Sequence, residues 1–149
     1  MRGVTIGSLD AENFVQCVNT GALDRLLDGV EMKIDINSFV TLWFTLLKAR
    51  IAVIFLSLED GVATGAIGAI CAPDPNDGVM AVTTGFWVVH PDANMMAGIG
   101  LFGAVEKWGK TMGAGKLIMV KCHEAVKDMD GFFIRQGYRQ SEVRYTKKL

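Results

Sequence analysis

Between Ile51 and His90 the chain has room for little but antiparallel strands. Ile51–Leu58 is too short, and too rich in β-branched and aromatic residues, to be a helix. Glu59-Asp60-Gly61 then supplies a tight turn, and Val62–Cys71 the returning strand of a hairpin. CAPDPNDG, residues 71–78, is a loop by composition, and Val79–His90 reads as the next strand, ended by Pro91.

Helical patterns flank this block. A short strand near Val4–Ile6 precedes Ser8 and Asp10, either of which can cap a helix starting at Ala11. A break at Asn19–Gly21 separates that helix from a second piece, Ala22–Asp28. Asn37 or Ser38 is expected to cap a segment whose apolar positions Phe39, Leu42, Trp43, Leu46 and Leu47 recur at helical spacing. Further on, Ala97–Met112 places Leu101, Val105, Trp108 and Met112 on one face, and Gly113–Gly115 stops it before a buried strand, Leu117–Cys122. A short helix near Asp130–Gln136 and a last strand near Arg139–Lys147 finish the order. With no linker, repeat or low-complexity tract, residues 1–149 are expected to form one α/β domain.

A chain of 149 residues that is 50% hydrophobic can bury a real core, so disorder is not the default. Its formal net charge of −1 gives no reason to expect nucleic acid or an anionic membrane as partner. Cys17, Cys71 and Cys122 are an odd set at wide spacing with no CxxC pair, which suits reduced thiols in the cytoplasm better than disulfides or a zinc site, and no metal is expected. MRGVTIGSLD lacks the pattern of a signal peptide, and the most apolar run, FVTLWFTLLKARIAVIFLSL, is cut by Lys48 and Arg50 into halves too short for a bilayer. The eight methionines read as gap-fillers of a core more simply than as an adaptable apolar site lined by Met95, Met96 and Met112.

Gly98 and Gly100, in NMMAGIGLFGAVEKWG, raise the functional question. A glycine-containing turn ahead of a helix offers unpartnered N–H groups and the positive end of the dipole, which favour phosphate oxygens. The same glycines serve equally well for close helix–sheet packing.

IFLSLEDGVATGAIGAI, FWVVHP, MMAGIG, EKWGKTMGAGKLIMV and FFIRQGY, in that order, resemble the GNAT superfamily of acyl-CoA-dependent N-acyltransferases over residues 51–145. GFWVV adds a faint resemblance to GNAT-like proteins of tailed phages. The resemblance implies a mixed, largely antiparallel central sheet flanked by helices, with the fourth strand splayed from the fifth. It also implies acetyl-CoA as acyl donor, its pantetheine arm in the gap beside Val88 and Val89 and its pyrophosphate on Met95, Met96, Ala97, Gly98, Ile99 and Gly100. The acceptor would be a primary amine on a small molecule or peptide, chosen by the first helices and the loop between the last strands; a homodimer is compatible with the family. Two departures stand out. The family's Arg or Gln is Met95 here, in a loop one residue longer than usual, and the tyrosine that returns a proton to the departing thiolate is Phe133. Phenylalanine has no proton to give.

Amine attack on a thioester needs the two held together, a donor for the oxyanion and a base. The Val89 N–H is the donor that the resemblance implies. The candidate bases are His90, His123 and Glu124; against them, His90 reads as a strand-end residue and His123-Glu124 as the start of a loop. Cys122 at the end of a buried strand reads as an inert small hydrophobe, and nothing in the sequence aims Tyr145. The expected function is N-acetyl transfer from acetyl-CoA. The alternatives are a non-catalytic GNAT-like module that binds acyl-CoA or a protein, and a structural domain whose glycines only pack.

Overall fold

A computed structural model describes residues 3–27, 35–120, 130–142 and 145–149. Along the chain run β1 (Val4–Leu9), α1 (Ala11–Asn19), α2 (Ala22–Leu27), α3 (Ile36–Lys48), β2 (Ala52–Glu59), β3 (Val62–Pro73), β4 (Met80–Val89), α4 (Met95–Thr111), β5 (Lys116–Ile118) and α5 (Asp130–Arg135). The sheet order is β1-β2-β3-β4-β5. Its first four strands are antiparallel neighbours and β5 lies parallel to β4.

Asp60 and Gly61 turn the β2–β3 hairpin with φ of 51° and 76°, the paired positive values that match the twist of the flanking strands. Both faces of the sheet are covered, so β2 reads as a continuous apolar run: Ile54 and Leu56 join Phe14, Leu23, Trp43 and Phe86 under α1–α3, while Val53 joins Ile67, Val82, Leu101 and Val105 under α4. Gly68 and Gly85 are packing glycines. A Cβ on Gly68 would lie 2.2 Å from the Phe86 ring, and one on Gly85 2.6 Å from the Trp43 indole. Their absence lets Phe86 stand edge-on to Trp43 at 5.1 Å.

A bulge at Gly85 bears directly on function. The β3–β4 register passes from Ala69↔Thr84 to Gly68↔Phe86 and leaves Gly85 unpaired. One extra residue reverses the facing of every side chain beyond it. Val82 accordingly packs under α4, whereas Phe86 and Val88, an even number of residues later, pack under α1–α3.

Several local expectations are met and others are corrected. Asp10, of the two candidates, caps α1, accepting from the Asn13 N–H at 2.7 Å. For α3 the cap is Asp35 rather than Asn37 or Ser38, because its Oδ1 receives both of their N–H groups, at 3.1 and 3.4 Å. Helix α4 begins at Met95, two residues before the expected start, and Gly98 and Gly100 lie a full turn inside it or nearly so, not in a glycine turn ahead of it. No strand occurs among the described residues between 139 and 147, and Tyr145 is 94% exposed. RQSEVRYTKK has too few apolar side chains to cover a sheet face. The expected strand to Cys122 is observed only as Lys116–Ile118, and Cys122 lies outside the described residues. Cys17 and Cys71 are free thiols, and burial pushes both above the ordinary thiol pKa. Among the described residues no helix is long and apolar enough to cross a membrane.

Candidate functional site

The β4–β5 ladder is short. It runs from Ala81↔Lys116 to Thr83↔Ile118, and Lys116 clamps its closed end by pairing with Asp74 and, at 2.7 Å, with Asp77. One step further the Val120 N–H donates to the Thr84 side-chain hydroxyl at 3.0 Å instead of to a β4 carbonyl. Among the described residues backbone pairing between the two strands has ended there, while β4 continues beside β3 to Val89↔Gly65.

The His90 N–H donates to the Thr64 carbonyl at 2.8 Å and so points toward β3. Alternation then turns the Val89 and Trp87 main-chain groups to the opposite edge, where no described strand pairs with them. Val88 departs from the expectation that it faces a ligand. Its main chain pairs with Ala66 of β3, and its side chain is buried among the α1–α3 core. The bulge parity is the cause. Val89 is 41% exposed, and its N–H lies on the edge with which no described strand pairs.

The segment after β4 is held by its own hydrogen bonds. His90 Nδ1 accepts from the Asp92 N–H at 3.1 Å, so the turn at Pro91 engages one ring nitrogen and the neutral ring carries its proton on Nε2. Asn94 caps α4: its Oδ1 accepts from the Met96 N–H at 2.9 Å and its carbonyl from the Ala97 N–H at 2.8 Å. The Asn94 N–H in turn donates to the Glu59 carboxylate, 3.1 and 3.3 Å from its two oxygens. Glu59 is only 4% exposed.

On the helix itself Ala97 is buried, whereas Met95, Met96 and Ile99 are 80%, 52% and 46% exposed. Gly98 faces β4, where a Cβ would stand 3.6 Å from Val89 Cγ2, and Gly100 faces β1, where one would stand 3.1 Å from Ile6 Cδ1. Gly100 therefore allows a close approach of α4 to β1, whereas at Gly98 the distance to β4 is an ordinary van der Waals contact. Beside them Trp87, Phe102, Phe132, Phe133 and Tyr138 form one ring cluster, with contacting centroids 5.2 to 6.5 Å apart. The Trp87 Nε1–H is buried in it without a hydrogen-bond partner among the described residues.

The same fold is found in solved structures. A GNAT family acetyltransferase of Staphylococcus aureus matches 100% of this chain over 100% of its own, with a TM-score of 0.73 at 14% identity. The chain has the GNAT fold. A predicted acetyltransferase of Clostridium acetobutylicum, solved with acetyl-CoA, shares it with a TM-score of 0.73 at 14% identity over 98% of this chain and 96% of that one. So does a ribosomal-protein-alanine N-acetyltransferase of Brucella melitensis biovar Abortus, with a TM-score of 0.68 at 17% identity over 99% of each chain. No protein-family model and no curated protein matches the sequence.

Within this GNAT frame the candidates separate. Val89, Gly98 and the ring of Phe133 gather around the open end of β4, and His90 lies at its tip with its side chain half exposed. His123 and Glu124 lie outside the described residues. Tyr138, whose ring touches that of Phe133 at 5.8 Å, directs its hydroxyl away to Glu106 of α4 at 3.1 Å. Burial, with the Glu106 charge added, drives its pKa far above the usual phenol value, so Tyr138 retains its proton. Sequence reasoning missed Glu59 and Trp87. Glu59 reads locally as a turn residue, and its partner is 35 positions away.

Proposed function

We propose that the chain is an acyl-CoA-dependent N-acyltransferase, moving an acetyl group from acetyl-CoA to a primary amine, and that residues 1–149 act as one domain. The observation that carries this reading is the edge of β4 at Trp87 and Val89, with which no described strand pairs, beside the end of the described β4–β5 ladder. An extended arm with amide groups, such as pantetheine, can add to such an edge as a further strand does. The Clostridium acetobutylicum acetyltransferase with acetyl-CoA supports the same donor.

Acetyl-CoA supplies a thioester, and the chain supplies position and polarity. The Val89 N–H, fixed by the pairing of its neighbours with β3, is the donor for the oxygen that becomes negative as the amine adds. His90, His123 and Glu124 remain the proposed bases. For His90 to serve, its Nδ1 has to release the Asp92 N–H. Phe133 leaves the departing thiolate without a phenolic proton, so water supplies it. A second reading, a GNAT-shaped module that binds acyl-CoA or a protein without turnover, is favoured by that same Phe133. The acceptor, a small-molecule or peptide amine, meets the chain on the side of α1–α3.

Thermal unfolding with acetyl-CoA, followed by thiol release over a panel of small amines and peptides, tests both readings. Acetyl-CoA at a hundred times its dissociation constant is expected to stabilise the fold by about 2.7 kcal/mol. Stabilisation with thiol release supports the transferase, and stabilisation without release for any amine supports the module. No stabilisation ends the donor assignment.

A further inference from the structure

A helix N-terminus attracts phosphate because its first N–H groups lack partners and its dipole is positive. At α4 those conditions are met only in part. The Asn94 N–H is taken by Glu59, the Met96 N–H by the Asn94 side chain and the Ala97 N–H by the Asn94 carbonyl. The Glu59 carboxylate, buried directly behind the cap, occupies the place where the dipole would favour an anion, and like charge at close range opposes a second one. Around the cap the exposed side chains among the described residues are the apolar Met95, Met96 and Ile99 together with His90 and the acidic Asp92, and none of them is an arginine or a lysine. Three engaged N–H groups, a buried carboxylate behind the cap and no arginine or lysine beside it among the described residues make this helix start a poor fit for a diphosphate.

The open edge of β4 has the opposite character. Main-chain groups of Trp87 and Val89 face away from β3 toward an edge with which no described strand pairs, and the exposed Val89 side chain beside it is apolar. Pantetheine, with two amides and a gem-dimethyl group, matches both features and carries no charge. We propose that this chain recognises its thioester donor through the pantetheine arm and not through the nucleotide diphosphate, so that acyl-pantetheine thioesters are donors on a par with acyl-CoA. The proposal rests on the acyltransferase reading above and narrows its donor class.

Calorimetric titration of the full chain with acetyl-CoA and with acetyl-pantetheine, at low and at high salt, tests it without relying on turnover. The two dissociation constants are expected to lie within about tenfold of each other. Salt is expected to change neither by more than about threefold, since little of the binding is charge pairing. Glu59→Gln keeps an acceptor for the Asn94 N–H and removes the charge. That variant is expected to tighten acetyl-CoA severalfold and to leave acetyl-pantetheine unchanged. Acetyl-CoA binding at least about a hundredfold tighter than acetyl-pantetheine, and weakening steeply with salt, would overturn the proposal while leaving the acyltransferase reading intact. An unaltered ratio in a folded Glu59→Gln protein would overturn it as well. Binding of neither thioester would remove the acyltransferase reading and the proposal together.

Discussion

The ring of Phe133 stands 6.3 Å, centroid to centroid, from the indole of Trp87, so α5 covers the open end of β4 with a side chain that has no proton to donate. If the transferase lacks only that proton, Phe133→Tyr places a phenol in the same ring cluster. General-acid assistance contributes about 10²–10⁴-fold where geometry is right, and the expected outcome is a rise in kcat at unchanged KM for the amine. Steady-state thiol release from both proteins checks it. Parent turnover equal to the variant's would move the proton source elsewhere.

Met95 is 80% exposed at the first position of α4, so a longer charged side chain there has room and disturbs no packing. Met95→Arg is expected to tighten acetyl-CoA about fivefold, equivalent to ~1 kcal/mol, since an exposed charge pair sits at the weak end of its range. Acetyl-pantetheine should bind the variant no better than the parent. Equal affinities of parent and variant for acetyl-CoA, by calorimetry, would mean that the nucleotide passes out of reach of residue 95.

Gly98 and Gly68 give opposite expectations for one added methyl. At Gly98 a Cβ meets Val89 at an ordinary 3.6 Å, and exchanging a mid-helix glycine for alanine is expected to stabilise the protein by about 0.5–1 kcal/mol. At Gly68 the Cβ falls 2.2 Å from the Phe86 ring, which Trp43 and Phe39 hold at 5.1 and 5.2 Å. Gly68→Ala is therefore expected to cost about 3 kcal/mol, the upper end of overpacking. Urea unfolding of the two variants measures both, and a stabilised Gly68→Ala would contradict the packing described.

Tyr138 makes alkaline stability testable. Its folded pKa lies above the ordinary phenol value of 10.0, so the contribution of its protonated form is fully present below pH 10 and is lost as pH rises beyond it, where the unfolded chain ionises first. Tyr138→Phe removes the hydrogen bond to Glu106 at a cost of about 1 kcal/mol near neutrality, and with it this part of the alkaline decline. Urea midpoints measured from pH 8 to 11 should fall less steeply for the variant. Parallel curves would show that Tyr138 ionises alike in the folded and unfolded states.

Local chemistry was enough to place most elements. The Asp60-Gly61 turn, the β-branched runs on either side of it, the helical spacing of Leu101 and Val105 and the capping role of Asp10 each depend on a few neighbouring residues, and sequence expresses such rules directly. The order of strands and helices, and the GNAT resemblance built on it, followed from them. What needed the tertiary structure was every relation set by register or by distance along the chain. An unpaired Gly85 reverses the facing beyond it, which buries Val88 and leaves Val89 at the open edge; nothing in GFWVV announces that. Glu59 meets Asn94 across 35 positions, and the glycines of MMAGIG prove to lie within α4, against Val89 and Ile6. Turn chemistry and helical period act over single turns, whereas the charge at a helix end and the direction of an N–H are decided by whichever residues the folded sheet brings beside them.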